Sequence, residues 1–137
     1  MSPIPPKKLL EIRDLRVGFT VDDGYLRAVD GISLDLAEGE SLGLVGESGC
    51  GKSVTALSLL RLIPQPPGRI ESGSVLFRGR DLLRLPAAEL RSVRGRDISL
   101  IFQEPQQAFS PLHRIGDQLV ETLQFHQSIS RPDALRL

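Results

Sequence analysis

The stretch SLGLVGESGCGKSVTALSLLRLIP, Ser41 to Pro64, decides how the rest of the chain is read. Its opening, SLGLVG, is more apolar than alternating, as expected of a strand covered on both faces. From Lys52 to Ile63 the polar residues Thr55, Ser58 and Arg61 recur at every third position, with Val54, Ala56, Leu57, Leu59, Leu60, Leu62 and Ile63 between them. That spacing predicts a helix with one narrow wet stripe, ended by Pro64. Between the two lies a run rich in glycine, and the question is what must come so close to the backbone there.

Gly46, Glu47, Ser48, Gly49, Cys50, Gly51, Lys52 and Ser53 satisfy the spacing GxxxxGK[ST] at every fixed position, between an expected strand and an expected helix. Glycines let such a loop curl until consecutive N–H groups point inward, an anion nest at the positive end of the helix dipole. A polyphosphate fits that cup. Lys52 supplies a point charge for the β- and γ-phosphates, and the Ser53 hydroxyl is a hard oxygen ligand suited to Mg²⁺. A chance glycine turn would not also place lysine and serine at these offsets. Cys50 occupies a variable position; a thiol at a helix start can be acidified, but no base is paired with it in sequence, and it reads as a small loop filler. Bulky alkylation there is expected to block nucleotide binding, and unchanged affinity after complete modification would remove the idea.

Composition sets the outer limits. With 40% apolar and 25% charged residues in 137, the chain has enough material for one domain with a core. Seventeen basic side chains balance seventeen acidic ones, so no overall positive field draws nucleic acid, and none is expected as a partner. Cys50 is the single cysteine, which excludes an internal disulfide. The N-terminus MSPIPPKKLLEIRDL has no continuous apolar segment after its basic pair, unlike a secretory signal. No run approaches the length of about 20 apolar residues that a membrane-crossing helix needs.

Residues 1–8 read as a flexible tail and 9–137 as the folded portion. LLEIRDLRVGFT and YLRAVDGISLDLAEGE read as two strands of an antiparallel hairpin around VDDG, with Ile32, Leu34 and Leu36 alternating against Ser33 and Asp35. PQPPGRIESG reads as a loop by composition, SVLFRGRDLL as a strand, and LPAAELRSVRG as a short helix with Pro86 near its first turn and Gly95 past its end. DISLIF is a second buried-strand candidate. IGDQLVETLQFHQ places Ile115, Leu119, Leu123 and Phe125 near one helical face. A β-rich opening followed by alternating strands and helices predicts an α/β domain with an antiparallel β annex.

A phosphate loop alone leaves several classes of nucleotide enzyme open, and the flanks decide among them. The order LLEIRDLRVGFT, AVDGISLDLAEGESLGLVGESGCGKS, SGSVLFRGRDL and RGRDISLIFQEPQQAFSPLHRIGDQL resembles the ATP-binding subunits of ABC transporters, most closely the branch serving dipeptide, oligopeptide and nickel importers. The resemblance covers nearly all of the chain after its first eight residues. It implies a P-loop NTPase (RecA-like) core with an N-terminal antiparallel β subdomain, ATP and Mg²⁺ as ligands, a second ATPase subunit and transmembrane permease subunits as partners, and a peripheral place on the cytoplasmic face of the cell membrane. Under it Gly46 to Ser53 are the Walker A loop. Gln103, after ISLIF, matches the glutamine that contacts the Mg²⁺ shell and whose loop couples the nucleotide to the membrane subunits. Phe19 stands where the family has an aromatic that stacks on adenine, with Tyr25 as the competitor. Glu104 reads as part of the glutamine loop, not as the general base. His113 and His126 have neither metal-ligand spacing nor the context of the family's switch histidine.

The family's signature, Walker B strand, D-loop and switch histidine do not follow before Leu137. The expectation is therefore an N-terminal portion of such a subunit, one that binds ATP and supplies only part of the hydrolytic site; the alternative is a nucleotide-binding fragment without hydrolysis. A small P-loop kinase is disfavoured by the glutamine-loop block. The absent strands belong between the Walker A strand and the strand leading to Gln103, so both are expected to expose unpaired edges, which makes the chain alone marginal or aggregation-prone.

Overall fold

Alternation in the first quarter of the chain produces a long antiparallel hairpin. Strand β1, Lys8–Val21, pairs with β2, Gly24–Ala37, across the two residues Asp22 and Asp23. Ile32, Leu34 and Leu36 turn to the half-buried side while Ser33 and Asp35 face solvent, as the alternation requires. The computed structural model describes residues 7–137, the side chain of Gln107 excepted, so the expected tail lies, up to residue 6, outside the described residues. Lys8 already belongs to β1. Two units emerge from the contacts, Met1–Pro86 and Ala87–Leu137.

In the first unit β3, Gly68–Phe77, joins the other edge of β1, and the two-residue β4, Arg80–Asp81, closes the sheet in the order β2-β1-β3-β4, every pairing antiparallel. Two expectations change here. Gly68–Gly73, expected as loop because of the glycines and prolines around it, is the first half of β3. SVLFRGRDLL, expected as one strand, reverses at Arg78 (φ 48°) and Gly79 (φ 79°). Two successive positive φ values between the paired residues Phe77 and Arg80 make a hairpin turn whose twist matches its strands.

Helix α1, Lys52–Leu59, packs against β1 and β2. It stops before Pro64: Arg61 enters the left-handed region (φ 52°), its N–H donates to the Ser58 carbonyl at 3.1 Å, and the Leu62 N–H reaches back to Leu57 at 2.9 Å. This pair of bonds is a Schellman cap, which satisfies carbonyls left over at the helix end. Of the three residues expected on the wet stripe, Thr55 and Ser58 are buried instead, and Arg61 is half-buried. Thr55 is 4% exposed and Ser58 0%. Their hydroxyls donate to the Gly51 and Val54 carbonyls, four residues back, at 2.9 and 2.6 Å. A short hydroxyl side chain satisfied on its own helix lets the helix approach the strands closely, so the small polar residues take the inner face. The core of this unit is Ile12, Leu15, Val17, Val29, Leu60, Ile63, Val75, Phe77 and Leu82.

In the second unit α2, Ala87–Val93, buries Leu90 and Val93 and gives way to Gly95 at φ 81°, as the sequence indicates. Helix α3, Ile115–His126, is met by α4, Arg131–Ala134; an Arg131–Asp117 ion pair ties them, and the Ser130 hydroxyl caps α4 by accepting from the Asp133 N–H. The expected apolar face of α3 is not the buried one. Val120 is buried, whereas Ile115, Leu119 and Phe125 are each more than half exposed. A four-residue neighbour is too short to cover that stripe.

SLGLVG and DISLIF, expected as buried strands, form no ladder among the described residues; the second has only an isolated bridge, Arg94–Ile98, with Asp97 and Ile98 bonded back to the end of α2 at Val93. Val45 and Ile101 are 91% and 92% exposed. A strand with both faces apolar needs a neighbour on each edge to satisfy its backbone, and neither segment has one here.

Candidate functional site

The glycine-rich loop runs exposed from Gly46 to Cys50 and enters α1 at Gly51, which is buried. Gly51 holds φ 91° and Gly49 φ 82°, both left-handed values that favour glycine. Gly51 is constrained a second time. A Cβ there would lie 2.3 Å from the carbonyl oxygen of Ala28 in β2. That carbonyl is displaced for a reason: Val17 pairs with Val29 and Gly18 with Arg27, so Ala28 is an extra residue, a bulge facing one residue of β1. The bulge seats the helix start on the hairpin. Sequence reasoning missed Ala28, although a signal existed: Leu26 and Val29 are apolar and three apart, which breaks the period of two.

At this helix start the N–H groups of Gly49, Gly51, Lys52 and Ser53 have no acceptor among the described residues, while the Cys50 N–H closes a turn onto Glu47 at 3.3 Å. No side chain caps the helix and its first turn has no acidic residue. Unpaired donors at the positive end of a helix dipole hold an anion. Lys52 Nζ curls over the loop, donating to the carbonyls of Gly46 at 2.8 Å and Glu47 at 2.6 Å, with Cys50 Sγ at 3.4 Å. An ammonium group has three donors. Two are held by the loop itself, and the third faces only a weakly accepting sulfur, which an anionic oxygen would displace. The Ser53 hydroxyl is exposed and has no partner among the described residues, so a hard oxygen is available where Mg²⁺ would need one.

Phe19 lies in β1 of the same unit, paired with Leu26 on one side and Gly68 on the other. It shares its face of the sheet with Val17 and is half-buried; a Cβ on Gly68 would meet its ring at 2.9 Å. Tyr25 is on the opposite face and already engaged, its hydroxyl donating to Glu71 Oε1 at 2.5 Å. Gln103 belongs to the second unit, exposed, between α2 and a 3-10 turn at Pro105–Ala108. With Phe102, Glu104 and Ala108 it lines a surface depression. His113 is exposed, and His126 stands edge-on to Phe125 with ring centroids 5.0 Å apart. No group of three or more His, Cys, Asp or Glu is placed to hold a metal among the described residues.

Comparison with known proteins gives a consistent answer. The family model described as ABC transporter matches residues 29–134. The peptidoglycan transport ATP-binding protein YejF of Agrobacterium fabrum is 51% identical over 98% of this chain and 24% of its own length. The dipeptide transport ATP-binding protein DppD of Bacillus subtilis is 45% identical over 93% of this chain and 38% of its own. The chain thus spans well under half the length of these relatives. Among solved structures, the ATP-binding cassette MJ0796, in a dimeric post-hydrolysis state bound to ADP and Pi, superposes with a TM-score of 0.71 at 20% identity, covering 93% of this chain and 54% of that one. The likeness establishes the P-loop NTPase fold. No helix among the described residues is long and apolar enough to cross a membrane. By sequence and by fold, the chain belongs to the ABC transporter family, on the side of its ATP-binding proteins.

Proposed function

We propose that residues 46–53 bind the triphosphate of ATP, and that the chain acts as the nucleotide-holding portion of an importer ATPase, with residues 9–137 as the N-terminal part of its nucleotide-binding domain. The observation that carries this reading is the row of unpaired N–H groups at Gly49, Gly51, Lys52 and Ser53, with Lys52 Nζ held over it. Gly46 to Ser53 cradle the phosphates, Lys52 meets the β- and γ-oxygens, and Phe19 offers its ring to adenine. Ser53 and Gln103 are the residues that would hold Mg²⁺, and the bound ion would neutralise charge on the terminal phosphates. Gln103 and its loop would report the nucleotide to permease subunits at the cytoplasmic face of the membrane. A second ATPase subunit completes the assembly. The peptide-transport names of the relatives favour a peptide as cargo, with nickel as the alternative that the sequence resemblance raises.

The test is binding of ATP with Mg²⁺ by titration calorimetry. Lys52→Ala removes a charge-assisted contact and should weaken ATP by about tenfold or more. Equal affinity of the variant and the parent chain would sink the assignment. Turnover lost in the same variant would identify an active ATPase; tight binding without turnover would identify a binding module.

A further inference from the structure

The far face of the sheet carries a cluster that the phosphate loop does not use. Tyr25 of β2 lies across β1 at Gly18, where a Cβ would fall 2.2 Å from the phenol oxygen, and reaches Glu71 of β3. Arg27 Nε meets the other carboxylate oxygen of Glu71 at 3.1 Å. Glu71 is itself displaced from the ladder, since Arg16 pairs with Ser72 and Val17 with Ile70. Strands β2 and β3 are therefore fastened across β1, over Gly18, by a phenol, a carboxylate and a guanidinium. The carboxylate is the charged partner: its bond to Tyr25, desolvation opposing, holds the Glu71 carboxyl below the usual range, and the same bond pushes the Tyr25 phenol up.

On the front of the sheet, at that same level, Phe19 pairs with Leu26, which is 57% exposed. Two residues further along β2 is Ala28, whose carbonyl touches Gly51 at the start of α1. Counted along β1, Ala28 lies between one and two residue steps from Phe19, about 3 to 7 Å. That is the scale separating a base from its phosphates. We propose that Tyr25, locked by Glu71 and Arg27 across Gly18, is a positioning residue that holds Phe19 and Leu26 as a base platform at a fixed distance from the phosphate loop. The inference rests on the nucleotide reading of residues 46–53 and adds to it how the base is held. Tyr25 is thereby removed from contact with the base: its role is exerted from behind, through the strand it pins. Gly18 is the residue that allows it, because any side chain there would displace the ring.

The experiment compares ATP with inorganic tripolyphosphate, which occupies the phosphate loop but has no base, for the full chain and the variants Tyr25→Phe and Glu71→Gln at equal Mg²⁺. Tyr25→Phe keeps the ring over Gly18 and removes only the hydroxyl. It should weaken ATP by about three- to tenfold and leave tripolyphosphate within about twofold. Glu71→Gln should shift the same ratio in the same direction. A parallel loss for both ligands would show a merely structural clamp and overturn the inference, as would no change in either. If the parent chain binds ATP no more tightly than tripolyphosphate, the base platform is refuted while the phosphate reading stands. If it binds neither, both fall.

Discussion

Replacing Gly51 with alanine would put a methyl group 2.3 Å from the Ala28 carbonyl oxygen, 3.4 Å from its carbon and 3.5 Å from a Val29 methyl. Backbone strain comes first: at φ 91° an L-residue costs about 1 to 2 kcal/mol. The overlap comes second. It cannot be relieved by a rotamer change, because the atom met first is backbone in a paired strand, and forcing an extra methyl into packed structure costs about 1 to 3 kcal/mol. Together the substitution should destabilise the first unit by about 2 to 5 kcal/mol. Gly49→Ala is the internal control. Its φ is 82°, but nothing lies within 4 Å of the place its Cβ would take, so only the strain of about 1 to 2 kcal/mol applies. The assay is urea unfolding at low protein concentration followed through Tyr25, the chain's single tyrosine in the absence of tryptophan. The two glycines should separate by about 1 to 3 kcal/mol. If they fall within about 0.5 kcal/mol of each other, the seating of α1 on the Ala28 bulge is not a packed contact and the reasoning fails.

Ser58→Leu should destabilise the chain by about 1 to 3 kcal/mol, because the site is fully buried; a solvent-facing stripe would accept the leucine without loss, so a neutral result in the same urea assay would return Ser58 to the wet side of α1. Acid should weaken the hairpin: the Arg13 guanidinium, then the Lys8 ammonium, hold the Asp35 carboxyl below its usual range. A depressed folded-state value contributes stability that is present above the unfolded value and lost as pH falls through the folded one. The unfolding midpoint should therefore drop on acidification, and less steeply in Arg13→Ala; identical slopes would remove Asp35 from the account.

Features whose cause is local are the ones the sequence discloses. The loop from Gly46 to Ser53 is legible because its chemistry needs certain residue types at fixed offsets, and the VDDG reversal, α2 and α3 follow from short-range signals. Gly68 to Gly73 is obscured because glycine and proline signal a loop, whereas here Gly68 gives the Phe19 ring room inside a ladder. Thr55 and Ser58 mislead when polarity is equated with exposure, although a hydroxyl bonded four residues back has no need of water. SLGLVG and DISLIF carry the composition of buried strands, but a ladder is a property of pairs, and among the described residues neither is paired beyond the isolated Arg94–Ile98 bridge. For the site, the phosphate side can be read from residue order alone; the Ala28 bulge and the Tyr25–Glu71 lock cannot, since both depend on register between strands.

The extra residue at Ala28 also makes the hairpin a gauge. Because β2 carries one residue more than β1 between the level of Val17 and that of Gly18, the Ala28 carbonyl stands out of the ladder toward the helix start. Deleting that residue would close the ladder with Leu26 still opposite Phe19 and withdraw the carbonyl that meets Gly51. A chain so altered would keep the residues of its phosphate cup and lose the stop that sets how far the cup stands from the sheet.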